Sequence, residues 1–341
     1  MKKVKAVLVG CGSMANGWLN TATVRSKVDI VGLVDIRPEA IEAKMARFGY
    51  ANIATGSDLA GILRQTKPDV VFDCSVPEAH CATTLMALKH GCHVLGEKPM
   101  SDTMPNARRM AAAAKKAGRV YAVMQNRRFM KEIRALRRFL DSGAIGKLVA
   151  VHSSFFLGIH FGGFREAMEH VLLVDMAIHS FDQARFITRA DASSVYCHEW
   201  TPHGSWFKHG PSASAIFEMH DGVVYTYQGS WCAEGCPTSW QCSWRLIGEK
   251  GTILWDGGED FRCEVVRGNT GFQRPVKERR IPLVAPKALS EGHNSGIGHF
   301  LDCLRKGVLP ETDSSDNIKS LAMVHAAIKS AETGKKVILN N

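Results

Sequence analysis

Short apolar strands alternate with helical segments over the first 124 residues, and this alternation constrains the fold more than any other feature of the sequence. The β-branched runs are Val4–Val9, Ile30–Val34, Val70–Cys74, Val94–Gly96 and Val120–Met124. The helical segments between them include Pro38–Phe48, Ala79–His90 and Asp102–Ala117. Strands that alternate with helices form parallel sheets with helices on both faces. The sequence therefore predicts a doubly wound α/β domain over residues 1–124.

A glycine-rich loop follows the first strand and begins a helix. Its sequence, Gly10-Cys11-Gly12-Ser13-Met14-Ala15, has the G-x-G-x-x-A pattern of dinucleotide-binding domains. Such glycines permit a tight turn and let the backbone approach a pyrophosphate at the helix N-terminus. The contacts predicted here are Gly10, Gly12, Ser13 and Met14. Together with Asp35, which ends the second strand where a ribose 2′-hydroxyl is bound, the loop predicts a Rossmann-type dinucleotide-binding domain.

Asp35 and Arg37, at the end of the second strand, determine which dinucleotide is expected to bind. The carboxylate of Asp35 would repel the 2′-phosphate of NADP, which favours NAD. Arg37 lies two residues further on, and an arginine at this place can accommodate a 2′-phosphate. NAD is therefore the expected cofactor, and NADP stays open as the alternative.

Polar residues follow two further strands of this domain. Ser75-Val76-Pro77 comes after the third strand, and His80 lies at the start of the next helix. Ligands of open α/β sheets bind at the carboxyl ends of strands, so these four residues are predicted to contact the cofactor; a plain strand-to-helix turn is the alternative. Glu97-Lys98-Pro99 follows the fourth strand. Lys98 either works on a substrate beside the dinucleotide or is an ordinary surface lysine.

The pattern changes after about Gly146. Alternating runs that predict a mostly antiparallel, open sheet are Leu148–Phe156, Ser214–Glu218, Val223–Trp231 and Trp240–Ile247. Turns are expected at Asp221-Gly222 and Gly248–Gly251. One helix is expected over Ala167–Ile187, and two more between Gly296 and Thr333. The second domain is predicted to span 125–341 with an α+β fold, and its last helices, about 296–333, are expected to pack back on the first domain.

A histidine flanked by carboxylates lies in the helix predicted for the second domain. Asp175, His179 and Asp182 share one face at helical spacing, and the residues between them are largely apolar. A histidine oriented by a carboxylate is a better base, and alcohol oxidation needs a base for the hydroxyl proton. The alternative is a buried histidine satisfied by a structural aspartate.

Composition excludes several classes of protein. The 341 residues carry a formal net charge of +10, with 45% hydrophobic and 22% charged residues, which is typical of a globular protein of two domains. No apolar run reaches the roughly 18 residues that a membrane span needs, and the N-terminus reads as a strand and not as a signal peptide. The ten cysteines contain no C-x-x-C pair, so reduced thiols, no metal site and a cytoplasmic location are expected.

A basic cluster interrupts this ordinary composition. Its members, which the sequence places on one helix, are Arg127, Arg128, Lys131, Arg134, Arg137 and Arg138. A nucleic-acid surface is one reading, and a solvated helix face or attraction for an anionic cofactor and substrate is the other. Since the chain has no nucleic-acid-binding motif, no nucleic-acid partner is expected.

The combined motifs resemble the glucose–fructose oxidoreductase / inositol dehydrogenase / rhizopine-catabolism (Gfo/Idh/MocA) family over nearly the whole chain. They are the glycine-rich start, Glu97-Lys98-Pro99, Asp175-x-x-x-His179, Asn126-Arg127-Arg128-Phe129 and Ser142–Lys147. The resemblance implies an NAD(P)-dependent oxidoreductase with a Rossmann domain and a second domain whose open sheet often forms an oligomer interface. A homodimer or homotetramer is therefore expected.

The resemblance also implies roles for individual residues. Lys98, Asp175 and His179 would be the catalytic set, with His179 as the base, Lys98 on the reacting oxygen and Asp175 on a substrate hydroxyl. Glu97, Lys98 and Asn126 would lie near the cofactor, and Arg127 near the substrate. Many relatives have a glycine-rich segment before the aspartate. Here Glu169–Val174 stands instead, and His170 is expected to add a polar substrate contact.

Three functions are compatible with these motifs. The leading hypothesis is oxidation of a ring hydroxyl of a sugar, cyclitol or sugar derivative, or the reverse reduction. The second is an NAD-dependent glycoside-cleaving enzyme that oxidises its substrate transiently. The third is a non-catalytic NAD-sensing protein, which could dispense with the lysine and the histidine. Lys98 and His179 are both present, which favours an enzyme.

Overall fold

A computed structural model describes residues 3–283 and 292–339, which divide into two compact units. Of the described residues, unit 1 comprises 3–129 and 292–321, and unit 2 comprises 130–283 and 322–339. Each unit contains one sheet. Among the described residues, no helix is both long enough and apolar enough to cross a bilayer.

The sheet of unit 1 has six parallel strands in the order β3-β2-β1-β4-β5-β6. The strands are β1 (Val4–Val9), β2 (Val28–Val34), β3 (Ala54–Gly56), β4 (Val70–Asp73), β5 (His93–Gly96) and β6 (Tyr121–Val123). The doubly wound sheet and all five predicted strands are confirmed. The sequence missed β3, because three residues are too few to show a periodicity. The strand order reverses between β1 and β4, which places the ligand crevice of such a fold at their carboxyl ends.

Helices connect these strands. They are α1 (Ser13–Leu19), α2 (Ala22–Lys27), α3 (Pro38–Phe48), α4 (Leu59–Thr66), α5 (Pro77–Lys89) and α6 (Met104–Ala117). Helix α3 has the predicted bounds because Pro38 occupies its first turn and Gly49, at φ 66°, ends it in the left-handed conformation. A short 3₁₀ helix, Asn126–Phe129, follows β6.

The sheet of unit 2 has nine strands in the order β14-β13-β12-β11-β7-β10-β9-β8-β15. They are β7 (Leu148–Phe156), β8 (Ala192–Trp200), β9 (Ser212–Met219), β10 (Val224–Ser230), β11 (Ser243–Gly248), β12 (Gly251–Trp255), β13 (Phe261–Val266), β14 (Val276–Glu278) and β15 (Val337–Ile338). Every neighbouring pair is antiparallel except β7 with β10. The mostly antiparallel sheet is confirmed, and both predicted turns are present.

Two helical predictions need correction. The segment expected as one helix over Ala167–Ile187 is a short helix, α8 (Phe164–Ala167), then a break, a π-helical segment (Leu172–Ala177) and α9 (Ile178–Thr188). His170 causes the break, because its φ of 51° cannot continue a right-handed helix. The basic cluster also fails to form one helix, since α7 (Lys131–Asp141) begins after Arg127 and Arg128, which are buried in the 3₁₀ helix.

The tail forms the two predicted helices, α10 (Gly292–Lys306) and α11 (Ser314–Thr333). Helix α10 belongs to unit 1, where Ile297, Phe300 and Leu301 are at most 2% exposed and join a core with Trp18 and Phe72. Residues 314–321 of α11 belong to unit 1 and 322–333 to unit 2.

The sheet of unit 2 buries one face and leaves the other open. Phe181 of α9 packs on the inner face against Phe217 and Tyr227, with ring centroids 4.8 and 5.4 Å away. The opposite face carries exposed or half-buried side chains, among them Tyr196, Ile216 and Arg245. The open sheet therefore presents a broad, mixed surface.

Candidate active site

A cavity of about 480 Å³ opens at the carboxyl ends of β1, β2 and β4 in unit 1. Of the residues predicted to bind the cofactor, those that line it are Gly10, Gly12, Asp35, Arg37, Ser75 and Val76. Among the described residues, the lining does not include Ser13, Met14, Pro77, His80, Glu97, Lys98 or Asn126. The cavity joins the glycine loop to the end of β4 at the reversal of strand order, where a dinucleotide crosses such a sheet.

The glycines of the loop are required for different reasons. Gly10 has φ 84°, and a Cβ there would lie 2.5 Å from the backbone nitrogen of Ser75. Gly12 precedes α1 with an ordinary φ of −71°, and a Cβ there would meet no atom within 4 Å. Gly10 is therefore needed by the fold, whereas Gly12 keeps space open at the helix start. This geometry fits a pyrophosphate cradle.

Asp35 is fixed by two backbone donors. Its Oδ2 accepts a hydrogen bond from the backbone N–H of Cys11 at 2.7 Å, and Oδ1 accepts one from the N–H of Arg37 at 2.9 Å. The Arg37 side chain is exposed, with Nε 3.6 Å from Asp35 Oδ1. A carboxylate held in this way lies ready for ribose hydroxyls and opposes a 2′-phosphate.

The end of β4 carries a buried hydrogen-bonded triad. Asp73 is fully buried; its Oδ2 lies 2.9 Å from His80 Nδ1, and its Oδ1 accepts from the Ser75 hydroxyl at 2.5 Å and the Ser75 N–H at 3.0 Å. His80 is 1% exposed and does not line the cavity, whereas Ser75 does. Burial opposes protonation of His80, but the Asp73 carboxylate outweighs it and raises the pKa of His80. The sequence reasoning missed Asp73.

The end of β5 carries a second buried carboxylate. Glu97 Oε1 accepts from the indole N–H of Trp18 at 2.6 Å and lies 3.4 Å from Nε2 of His293, while Oε2 accepts from the Lys98 N–H at 3.1 Å. Burial opposes ionisation, yet His293, Trp18 and Lys98 together lower the pKa of Glu97. Glu97 thus anchors the backbone of Lys98, whose side chain is half-buried.

The 3₁₀ helix after β6 holds two of the predicted residues. Asn126 is half-buried, and Arg127 is 7% exposed. Its neighbour Arg128 forms an ion pair with Asp316 at 3.0 Å and donates to the carbonyl of Glu311, both in unit 1. The buried arginines of the former basic cluster are therefore structural or site groups and do not form a charged surface.

In unit 2, Asp175 and His179 lie on consecutive turns of the helical segment that joins the π-helix to α9. Both are half-buried, while Met176, Ala177 and Ile178 between them are at most 2% exposed. Asp182, on the same predicted face, is 1% exposed and belongs to the interior. The accessible part of this face is therefore a carboxylate and an imidazole one turn apart.

Arg165 contacts Asp175 and was missed by the sequence reasoning. Its Nε donates to Asp175 Oδ2 at 3.0 Å, and its guanidinium lies 5.2 Å from the ring centroids of both Phe161 and Phe164. The aromatic rings stabilise the cation while the guanidinium stays about one-third exposed. The two residues lie on different helical segments, ten positions apart, so no periodic pattern within one element pointed to this contact.

His170 has carboxylate partners of its own. Nδ1 lies 2.6 Å from Glu199 Oε2, and Nε2 lies 3.7 Å from Glu332 Oε1. The hydrogen bond to Glu199 raises the pKa of His170 although burial opposes the rise. His170 thus fastens the segment before the π-helix to the end of β8.

The loop after β8 is anchored at several points. Trp206 donates from its indole nitrogen to the carbonyl of Ile159 at 2.9 Å, and the His160 ring stacks on it with centroids 3.9 Å apart. Phe207 is buried. The loop therefore braces the segment that carries Arg165.

Comparison with known proteins supports the same interpretation. The oxidoreductase family model with an NAD-binding Rossmann fold matches residues 4–125, and the GFO/IDH/MocA C-terminal domain model matches residues 133–254. The chain is 27% identical to D-apiose dehydrogenase of Paraburkholderia graminis, covering 100% of this chain and 91% of that one. It is 25% identical to D-glucoside 3-dehydrogenase of Escherichia coli, covering 98% and 97%.

Solved structures share the fold. An oxidoreductase of Agrobacterium radiobacter, in complex with NAD+, L-tartaric acid and magnesium, superposes with a TM-score of 0.84 at 24% identity, covering 99% of this chain and 98% of that one. Levoglucosan dehydrogenase with NADH and levoglucosan gives a TM-score of 0.83 at 18% identity, with both chains fully covered. These matches and the glycine-lined cavity establish that the chain belongs to the GFO/IDH/MocA oxidoreductase family, as an NAD-binding dehydrogenase that acts on CH–OH groups.

Proposed function

We propose that this protein oxidises a ring hydroxyl of a sugar, cyclitol or sugar derivative, or reduces the corresponding ketone. The observation that carries the proposal is the half-buried Asp175 and His179 pair, one turn apart on an otherwise buried segment. The curated relatives named D-apiose dehydrogenase and D-glucoside 3-dehydrogenase support a carbohydrate substrate.

His179 is the general base in this proposal. Oxidation of an alcohol removes a hydroxyl proton as hydrogen leaves the carbon, and an imidazole accepts such a proton near neutral pH. NAD, when bound, accepts the hydride. Asp175 holds a substrate hydroxyl, and Arg165 orients the carboxylate of Asp175.

Lys98 is proposed to stabilise the reacting oxygen. Its ammonium group favours the charge that develops on this oxygen, while the Glu97 carboxylate fixes the lysine backbone. Arg127, Asn126 and His170 are proposed to contact the substrate or cofactor. Their supporting evidence is the family resemblance of the Asn126-Arg127 motif and the position of His170 next to the π-helix.

The proposal is tested by NADH formation at 340 nm (a general property of the reduced nicotinamide) across sugars, inositols and glycosides. We expect His179→Ala to lower kcat by about 10²–10⁴-fold, the usual contribution of a general base, with NAD+ affinity unchanged. The matched control is His220→Ala, which alters an exposed histidine in a turn of unit 2. Unchanged turnover in His179→Ala would rule out the assigned base.

The same screen separates two reaction classes and two cofactors. Accumulation of NADH supports the dehydrogenase, whereas cleavage of a glycoside without net NADH would assign transient oxidation and elimination instead.

Asp35→Ser removes the carboxylate that opposes a 2′-phosphate, so NADP turnover should rise relative to NAD. Equal use of both cofactors by the unaltered protein would contradict the proposed preference for NAD.

We further propose that the protein forms a homodimer or homotetramer through the open face of the nine-stranded sheet. Exposed Tyr196 and Ile216 and half-buried Leu254 lie on this face, beside polar groups that suit an interface rim. Ile216→Asp should release monomers in size-exclusion chromatography with light scattering, and Val308→Asp, an equally exposed position of unit 1, should not. An unaltered oligomer in Ile216→Asp would place the interface elsewhere.

A further inference from the structure

Unit 1 contains two buried carboxylates at neighbouring strand ends, each beside an imidazole. Asp73 ends β4 and Glu97 follows β5, and the Glu97 N–H donates to the Asp73 carbonyl at 2.8 Å. Asp73 lies 2.9 Å from His80, and Glu97 lies 3.4 Å from His293. A buried carboxylate is costly unless it is paired, and the two histidines supply the pairing.

Both pairs lie on the half of the sheet that receives the nicotinamide. Asp35 marks the half built from β1, β2 and β3 as the site of the adenosine ribose, because the acidic residue after β2 binds that sugar. The second nucleotide would then lie over the ends of β4, β5 and β6, beyond the strand reversal. Ser75, which lines the cavity, hydrogen-bonds to Asp73 through both its hydroxyl and its N–H.

The histidine of the Asp73–His80 pair is more deeply buried than the histidine of the Glu97–His293 pair. His80 is 1% exposed, and among the described residues its Nε2 has no hydrogen-bond partner. His293 is about one-quarter exposed, so water screens its charge. The charge of the Asp73–His80 pair lies in the buried interior, where the effective dielectric constant is lower and the charge is screened less.

The two redox forms of the cofactor respond differently to such a charge. The nicotinamide ring of NAD+ is cationic, whereas that of NADH is neutral, so a buried charge beneath it changes the affinity for NAD+ far more than that for NADH. We propose that the Asp73–His80 pair sets how strongly the protein prefers NAD+ over NADH, and that protonation of His80 weakens this preference. The role rests on NAD binding by unit 1 and not on the identity of the substrate.

The direction follows from the charges around the imidazole. Asp73 with neutral His80 leaves one negative charge, which favours the cationic ring, and protonation of His80 cancels it. Asp73 is the main influence that raises the pKa of His80 against the opposing effect of burial, and Glu97 and Glu78 add to it. The groups that face the pair are Ser75 and Cys74 after β4, Glu78 on α5, Glu97 after β5 and Tyr121 on β6.

The test is the ratio of the dissociation constants for NAD+ and NADH, measured on the full-length protein by calorimetry and NADH fluorescence between pH 6 and 9. In the unaltered protein the ratio should fall as the pH rises. For a unit charge near 10 Å at an effective dielectric of about 20, the total change is on the order of tenfold. A ratio that is independent of pH would overturn the proposal, even if no variant could be made.

Two variants should move the ratio in opposite directions. His80→Gln keeps a donor to Asp73 but carries no proton, so the ratio should stay at its low, alkaline value at every pH. Asp73→Asn removes the negative charge, so the ratio should stay high. A merely structural role would weaken the binding of both cofactor forms by the same factor and leave the ratio unchanged, which contradicts the proposal.

Two controls identify the titrating group. His90→Gln makes the same change at the other end of α5 and should preserve the pH dependence. His293→Gln should preserve it as well, because His293 is partly exposed and pairs with Glu97. If the pH dependence were lost in His293→Gln and retained in His80→Gln, the titrating group would be His293, and the proposal would be refuted.

Discussion

Arg165 and Asp175 form an ion pair in unit 2, with Nε of the guanidinium 3.0 Å from Oδ2 of the carboxylate. The arginine lies on α8 and the aspartate on the π-helical segment, so the pair bridges the break in the helix that His170 opens. Phe161 and Phe164 hold the guanidinium from the ring side. Asp175 is therefore oriented before any substrate binds.

Loss of this pair should impair catalysis more than stability. Arg165→Ala removes a charge-assisted hydrogen bond, so kcat/KM should fall by about 10- to 100-fold, and Arg165→Lys should recover part of the loss. The measurement is steady-state kinetics on the best substrate of the screen. Arg262→Ala, which removes an exposed pair with Glu264 in the same unit, should leave kcat/KM unchanged. Equal effects of the two alanine variants would show that Arg165 is only a surface arginine.

The two loop glycines should respond differently to the same substitution. Gly10→Ala combines a φ of 84° with a Cβ 2.5 Å from a backbone nitrogen, so it should lower the free energy of unfolding by about 1–3 kcal/mol or more. Gly12→Ala meets no atom within 4 Å and should leave stability within about 0.5 kcal/mol, while NAD+ affinity falls at least about tenfold. Urea unfolding of the cofactor-free protein and calorimetry with NAD+ measure both. A destabilised Gly12→Ala variant would refute this assignment of roles.

The His170–Glu199 pair predicts a pH-dependent contribution to stability. Its hydrogen bond raises the pKa of His170 in the folded protein above the ordinary value of 6.5. The stabilisation is therefore fully present below pH 6.5 and is lost as the pH rises through the folded pKa. His170→Asn suits the test, because asparagine tolerates the left-handed φ of 51°.

The Tm difference between the unaltered protein and His170→Asn should be largest near pH 5.5, equivalent to about 1–2 kcal/mol, and should shrink toward pH 9. Thermal unfolding over this range is the measurement, with His220→Asn as the exposed control. A difference that grows with pH would have the wrong sign for a protonated histidine.

Helix α10 should be essential to the core of unit 1. Phe300 is 1% exposed and packs within the cluster that contains Trp18 and Phe72, so Phe300→Ala should cost about 3–5 kcal/mol of unfolding free energy. Phe272, which is fully exposed, provides the control: Phe272→Ala should change stability by less than about 0.5 kcal/mol. Chemical denaturation measures both, and similar small losses would place α10 outside the core.

Local patterns predicted most of the elements and six of the residues that line the cavity of unit 1. The strand bounds of β1 and β7 and the helix bounds of α3 follow from periodicity, a proline and a glycine, all of which act within a few residues. The glycine loop and Asp35 form a recognisable motif because both parts of such a motif contact the same dinucleotide, which fixes the number of residues between them. These features depend on neighbours in sequence, which is why they can be recognised there.

The remaining parts of the site depend on pairs that are distant in sequence. His170 meets Glu199 across 29 residues, and Trp18 meets Glu97 across 79. No periodicity records such pairings, because they arise when separate elements pack. Asp73 was missed for a different reason. Its partner His80 is only seven residues away, but a carboxylate at a strand end looks solvent-exposed until α5 brings His80 over it.

The core of unit 1 is completed by a helix that is synthesised late, and this affects folding during synthesis. Its sheet is encoded before residue 124, but Ile297, Phe300 and Leu301 on α10 complete its core. A ribosome therefore releases all six strands of the nucleotide-binding unit, and then the whole nine-stranded sheet except β15, before the helix that seals the first core emerges. During that interval the nascent chain exposes the apolar surface that α10 later covers, so we expect chaperones to bind at the first domain until α10 emerges.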